Sequence, residues 1–379
     1  MTSEERKQAR YVRRKEEKEK KKKEFENNLP SYDELFSFAN LYEAFFECRK
    51  GVRWKSSVIS YEARLLLETE RTFEKMKKRK YKPAKSLEFD LFERGKLRHI
   101  MASPIQERCV QKVLCDKYLT PIVRRYIIYD NSASLKKRGP DFSVKRMKSH
   151  LCQYFKKYGR KGYIFQYDFR KYFENVDHEI LIEMLKQIVP DLEIMKVIEK
   201  IINSFGVKGL GLGSQLSQIC AIYFPTSIDQ AFKQKLKIRW YGRYNDDGYA
   251  LCRNKREVED CIKTLKKEAY KLNIELNPKK IHITKLTKRF TYLKKTFYIT
   301  DTGGIVVKMK SQTITAARRR LKRLFNKLES RHREKLTIAH IDAAYKTWIG
   351  RAKKYKNYHA IKNYKELYEK RRRKWKEKK

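Results

Sequence analysis

The stretch WYGRYNDDGYALC, residues 240–252, constrains the fold more than any other part of the chain. Two runs with strand-like alternation flank Asn-Asp-Asp-Gly, which is hairpin turn chemistry. Two adjacent carboxylates, Asp246 and Asp247, stand at the tip. Like charges side by side repel, and a hairpin gains nothing from holding them together. Asp is also an ordinary turn residue, so the doublet alone reads equally well as a polar turn. It becomes a site only if the fold delivers more groups to the same rim.

Asp168 is such a group, because it ends the strand-like run YIFQY at residues 163–167. If that strand and the hairpin share one sheet, three carboxylates converge, and cations must neutralise them. Carboxylate oxygens suit Mg²⁺, which takes one or two of them plus phosphates and water. Two such ions, about 3.5–4 Å apart, stabilise the attacking and leaving oxygens of a phosphoryl transfer.

The rest of the chain supplies a scaffold for that arrangement. Amphipathic helical patterns cover YDELFSFANLYEAFFECRKGVR and VISYEARLLLETERTFEKMKKRKY. SLEFDLFERGKLRHIMAS reads as two short strands turning at Arg94-Gly95-Lys96. Helices are predicted over PIQERCVQKVLCDKYLTPIVRRYI, FSVKRMKSHLCQYFKKYG, HEILIEMLKQIV, LEIMKVIEKIINSF and EVEDCIKTLKKEAYKLN. A glycine loop, KGLGLGSQ, opens a long apolar helix, short strands follow ELNPKK, and the text from about Ser311 onward is helical and basic. The order β–α–α–β–α–β is that of an α+β domain on a small antiparallel sheet.

Charge bears on partners. Lys and Arg number 93 against 45 Asp and Glu, a formal +48 in 379 residues, so a polyanion is the natural partner and nucleic acid the usual one. No apolar run approaches the roughly 20 residues that span a bilayer. The N-terminal text has no apolar core and does not read as a secretory signal. Residues 1–28 read as a solvated helix or a disordered arm. The seven cysteines are scattered with no CxxC pair, which fits reduced thiols in a cytosolic protein rather than a zinc site.

The motifs resemble those of reverse transcriptases, in the family order and over roughly residues 90–300. Asp168-Phe-Arg-Lys-Tyr-Phe173 with Val176-Asp-His178 resembles motif A, and Gly213-Ser-Gln-Leu-Ser217-Gln218 resembles motif B. Tyr244-Asn-Asp246-Asp247 matches the YxDD of motif C, Leu276-Asn-Pro-Lys-Lys280 resembles motif D, and FTYLKKTFYI has the place of motif E. Gly95-Lys-Leu-Arg98-His-Ile100 resembles the basic fingers motif that meets the incoming triphosphate.

The resemblance implies a right-hand polymerase. It would have a basic arm (1–28), fingers with N-terminal helices (29–165), a palm built on a small antiparallel sheet (166–305) and a basic helical thumb (306–379). It implies that Asp168 and Asp246 hold two Mg²⁺ ions, with Mn²⁺ as the alternative. Asp247 would assist and the Phe169 carbonyl would complete one site. Lys96 and Arg98 would pair with triphosphate oxygens, Arg by bidentate contacts. Phe173 would be the steric gate against a ribose 2′-OH, and Lys280 or Lys279 would give a proton to the leaving pyrophosphate. Gly213, Ser217 and Gln218 would lie close to nucleotide and template. His178 reads as structural, and the aromatics Tyr345, Trp348, Tyr355 and Tyr358 of the thumb read as core.

Motif B departs from the common pattern. Leu212 stands before the glycine where many relatives have Gln, and Ser217-Gln218 stands where they have Ser-Pro. This form resembles the reverse transcriptases of bacterial and phage diversity-generating retroelements, which copy a template RNA with errors at adenines. Replacing an amide by Leu212 removes a polar contact that helps hold correct geometry. The expected partners are then template RNA, an RNA–DNA hybrid, dNTPs and a small basic helical accessory protein, in a bacterial cytoplasm. No acidic cluster for an RNase H site and no His/Cys-rich nuclease follows, so a polymerase alone is expected. Two alternatives are a retron or phage-defence enzyme and a degenerate palm that binds RNA as a scaffold.

Overall fold

In the computed structural model, which describes residues 2–93, 95–330 and 336–377, the alternating runs pair into antiparallel sheets packed on helices. Strands β1 (Leu87–Glu93) and β2 (Lys96–Ala102) form a two-stranded hairpin. Strands β3 (Tyr163–Tyr167), β4 (Tyr241–Tyr244), β5 (Asp247–Cys252) and β6 (His282–Lys285) form a four-stranded sheet in the order β4-β5-β3-β6. Strands β7 (Phe290–Tyr292), β8 (Lys295–Ile299) and β9 (Ile305–Met309) form a third sheet. The α+β expectation therefore holds.

The period-2 alternation of β3 and β5 sends side chains into two different cores. Phe165, Tyr167, Ala250 and Cys252 join the large core formed with the helices. Ile164, Tyr249 and Leu251 join a second core with the helix Pro140–Tyr158 and the β7–β8–β9 sheet. A sheet covered on both faces is a rigid base, and its strand ends are what remain accessible. The outer edge of β4 is covered by residues 130–132: the Arg243 N–H donates to the Asp130 carbonyl at 3.2 Å, and the Ser132 N–H donates to the Arg243 carbonyl at 3.0 Å.

Several helices are more broken than the sequence predicts. The second helical pattern divides at Arg64 into Ser56–Ala63 and Leu65–Lys77. The apolar helix after the glycine loop stops at Tyr223 and restarts at Thr226, around Pro225, which lacks an N–H to continue the ladder. Leu114–Leu119 is a π-helical segment. The run from Ile305 to Met309 is a strand: after a Thr-Gly-Gly turn it pairs with β8 and buries Val306, Val307 and Met309, and the helical end begins at Ser311 as expected. Within the N-terminal arm, Ser3–Asn27 form a helix opened by a Thr2/Glu5 capping box and burying none of its residues.

The C-terminal helices, Ser311–Glu329, Ile338–Lys353 and Tyr358–Glu377, surround their own core of Leu321, Phe325, Leu328, Ile341, Ile349, Tyr364 and Tyr368. Tyr345 stacks on Tyr368 and Trp348 on Tyr364, each at 3.9 Å between ring centroids. These aromatics are core, as expected. Tyr358 differs, with 75% of its surface exposed. Among the described residues, no helix is long and apolar enough to cross a membrane.

Candidate active site

Strand register brings the three carboxylates together. Tyr167 pairs with Gly248, so the next opposed pair in an antiparallel ladder is Asp168 and Asp247. Tyr244 pairs with Asp247 across the hairpin, which leaves Asn245 and Asp246 as its two turn residues. Asn245 takes φ 50°, the left-handed region that Asn tolerates better than most residues, so the Asn of this YxDD has a backbone reason. Carboxylate oxygens of Asp168, Asp246 and Asp247 all lie within 4.8 Å of one another.

Gly248 has a packing role rather than a turn role. A Cβ there would come within 2.1 Å of the Tyr167 ring. That ring is itself fixed, because its hydroxyl meets the Tyr241 hydroxyl at 2.7 Å.

The electrostatics are those of a cluster that is costly to keep fully ionised. Burial, the Asp246 charge, a hydrogen bond with Asp168 and the Asp168 charge together push the Asp247 carboxyl up to about 8. Asp168 is only 3% exposed and is hydrogen-bonded to the Lys280 ammonium. Burial opposes the charge on Lys280, but the bond to Asp168 and the charges of all three aspartates hold its ammonium above its usual range. Lys280 is thus the member of the Lys279-Lys280 pair that faces the site. Asn277 caps the short turn Pro278–Lys280, and the Asn277 N–H donates to the Asp168 carbonyl at 2.9 Å. Hard oxygen donors that crowd and repel in this way fit divalent cations.

Phe169 forms an isolated bridge with Leu276, made by Arg170 N–H to Glu275 O and Asn277 N–H to Asp168 O. Neither bond uses the Phe169 carbonyl, which the resemblance assigns to a metal. Phe173 is half-buried, and its carbonyl accepts the Leu210 N–H at 2.6 Å, so it stands beside the glycine loop. His178 is buried and meets the Gly209 carbonyl at 2.5 Å, the structural role expected of it.

The glycine loop and the β1–β2 hairpin touch. The Met101 N–H donates to the Leu212 carbonyl at 3.1 Å. Gly213 has φ 121°, and a Cβ there would press on the Met101 carbonyl at 3.1 Å, so glycine is required. Leu212 is half-buried at this junction. Arg98 is exposed on β2, while the Lys96 side chain lies outside the described residues. Gln218 accepts a hydrogen bond from Ser134 at 2.9 Å.

Ser217 departs from the nucleotide-contact expectation. It is fully buried in the helix Gln215–Tyr223, with Ser214 capping that helix by accepting the Ser217 N–H. Its hydroxyl sits one turn below the loop, with no hydrogen-bond partner. It therefore packs rather than reaching the rim.

Sequence reasoning missed a buried ion pair behind the turn. Arg243 and Asp229 have 0% exposed side chains and pair at 2.7 Å. The available signal was Asp229 itself, a lone carboxylate in the apolar text FPTSIDQAF, which cannot be buried without a partner. A separate cavity of about 470 Å³ lies on one face of the helix Ser311–Glu329, lined by Ser311, Gln312, Thr315, Ala316, Arg319 and Arg323.

Comparison with known proteins identifies a family. The family described as "Reverse transcriptase (RNA-dependent DNA polymerase)" matches residues 77–297, more than half of the chain. Among solved structures, a telomerase from Candida albicans in complex with a TWJ fragment of telomeric RNA aligns with TM-score 0.49 at 11% identity, covering 76% of this chain and 56% of that one. An apo telomerase from Candida tropicalis aligns with TM-score 0.45 at 14% identity, covering 64% and 53%. The chain thus spans about half the length of these structures. No curated protein matches the sequence.

Proposed function

The chain belongs to the reverse transcriptase family, with its right-hand polymerase fold, and from that premise we propose that it makes cDNA on an RNA template. The observation that carries the reading is the convergence of Asp168, Asp246 and Asp247 within 4.8 Å at the end of the four-stranded sheet. We assign 1–28 as a basic arm, 29–165 as fingers, 166–305 as palm and 306–379 as thumb, with the two strands that straddle these bounds, β3 and β9, counted with the palm. Two Mg²⁺ ions, or Mn²⁺ as the alternative, would be held by the three aspartates and the Phe169 carbonyl, and when bound they supply charge stabilisation to phosphoryl transfer.

The chain's own groups do the rest. Lys280 carries a proton at Nζ beside Asp168 and is placed to give it to the leaving pyrophosphate. Arg98, with Lys96, pairs with triphosphate oxygens from the hairpin. The Phe173 ring excludes a ribose 2′-OH and so selects dNTPs. Gly213 lets the nucleotide approach the backbone, and Gln218, held by the Ser134 hydroxyl, lies close to nucleotide and template. The basic face of the helix Ser311–Glu329 grips the RNA–DNA hybrid through its backbone.

The finer assignment is to a diversity-generating retroelement, acting in a bacterial cytoplasm with a small basic helical accessory protein and making errors at adenines. Leu212 supports it, since it offers an apolar contact where an amide would restrain the base pair. The test is DNA synthesis on a primed RNA template with Mg²⁺, wild type beside Asp246→Asn, with products sequenced. Synthesis that the variant lacks, with errors gathered at template adenines, is the expected result. Accurate copying would transfer the chain to the retron or defence type. Absence of synthesis even with cognate RNA would leave an RNA-binding scaffold.

A further inference from the structure

Behind the carboxylate-bearing turn, one guanidinium holds three distant segments together. Arg243 Nη1 donates to the Asn245 carbonyl at 2.8 Å, inside the turn itself. Arg243 Nη2 donates to the Ile222 carbonyl at 2.9 Å, in the helix that follows the glycine loop. Nε and Nη2 grip the two Asp229 oxygens at 2.8 and 2.7 Å. The Tyr241 hydroxyl also donates to Asp229, at 2.6 Å, and meets the Tyr167 hydroxyl, next to Asp168. The network thus reaches the strand that ends in Asp168, the hairpin that carries Asp246 and Asp247, and the helix below the nucleotide loop.

We propose that Arg243 is a positioning residue: by clamping the Asn245 carbonyl to the Ile222 carbonyl and to Asp229, it fixes where the turn presents Asp246 and Asp247 to Asp168. This rests on the polymerase reading of the site. A fully buried ion pair contributes little net stability compared with apolar residues of the same volume, because desolvation cancels the attraction. Stability is therefore a poor reason for its presence, whereas geometry is a good one. The turn needs restraint, since it combines a left-handed Asn245 with two adjacent like charges at the end of an outer strand. Arginine suits the task because its planar fork reaches several acceptors at once. A lysine in its place can pair with Asp229 but is a point donor and cannot span both carbonyls.

The test compares wild type with Arg243→Lys, which keeps the charge pair, and with the double variant Arg243→Met/Asp229→Leu, which removes it for apolar volume. Each is followed by thermal melting, by primer–template affinity, by single-turnover DNA synthesis against Mg²⁺ concentration and by Mn²⁺ binding measured by electron paramagnetic resonance. Variants that melt within about 5 °C of wild type are the ones compared. The expected result is synthesis slowed about 100-fold, with a raised Mg²⁺ requirement, weakened Mn²⁺ binding and primer–template affinity unchanged. A folded variant with wild-type rate and metal dependence overturns the proposal. Failure of both variants to fold also overturns it, since it makes the pair a structural support. If the wild type itself makes no DNA, the polymerase reading fails instead, and the Mn²⁺ binding arm still judges Arg243.

Discussion

The end of the four-stranded sheet and the C-terminal helices use charge in opposite ways. At the sheet end, three carboxylates are set by strand register, by the capped turn that aims Lys280, and by the Arg243–Asp229 pair with no exposed surface. In the helix Ser311–Glu329, Arg318, Arg319, Arg320, Lys322 and Arg323 are all exposed, while Leu321, Phe325 and Leu328 anchor the other face. The first region has few charges, each fixed to within a side chain's reach. The second has many, each exposed along one helix face. Fixed charges can do chemistry because their placement costs nothing at the moment of reaction. Exposed charges supply affinity that adds roughly contact by contact and is screened by salt.

If that contrast is right, single substitutions should be severe at the sheet end and mild on the helix. The largest effect is expected for Asp246→Asn, which removes one carboxylate of the proposed metal site. DNA synthesis should fall about 1000-fold or more, with the melting temperature held or raised as one repelling charge is lost. Retained synthesis would break the contrast outright.

Gly248→Ala should come next. Its new Cβ meets a Tyr167 ring that cannot easily move, and overpacking of this kind costs about 1–3 kcal/mol. Denaturant melts would measure the loss, and adding Tyr167→Leu should recover part of it.

Acid should act on the brace that covers β4. Burial opposes the charge on Asp130, but His150, Arg146 and Lys233 outweigh it and hold that carboxyl far below the usual range. Its contribution to stability is present above the unfolded value, about 4, and is lost as pH falls below it. Burial lowers the His150 value, so that residue also costs stability as pH drops below its unfolded value, about 6.5. Both shifts therefore predict falling stability on acidification. Urea melts of Asp130→Asn should lack the lower part of that fall.

The smallest effect is expected on the C-terminal helix. Arg319→Gln or Arg323→Gln should reduce the salt slope of RNA–DNA hybrid binding by about 1 each, with little change in rate for bound complexes. A rate collapse instead would mean that these arginines are placed as strictly as the aspartates.

Much of this was legible locally. The hairpin, the glycine loop, the β1–β2 turn and most helices follow from turn residues and apolar period, which neighbouring residues encode. The Asp246-Asp247 doublet and the strand ending at Asp168 are visible in short stretches, and so is the excess of positive charge. What neighbours could not encode is which groups meet. Only the register of β3 against β5 put Asp168 opposite Asp247. Only the bridge at Phe169 and the turn at Asn277 chose Lys280 over Lys279. Ser217 is buried because its helix packs across the core, and Gly248 is glycine because of a ring 81 residues earlier in sequence, at Tyr167. The strand at Ile305 exists because β8 offers it an edge. Asp229 announced a missing partner, but that Arg243 supplies it, and carries the bond on to the Asn245 carbonyl, was decided by the tertiary structure. Local patterns fix a residue's own backbone, whereas burial and pairing depend on atoms that folding brings in from far along the chain.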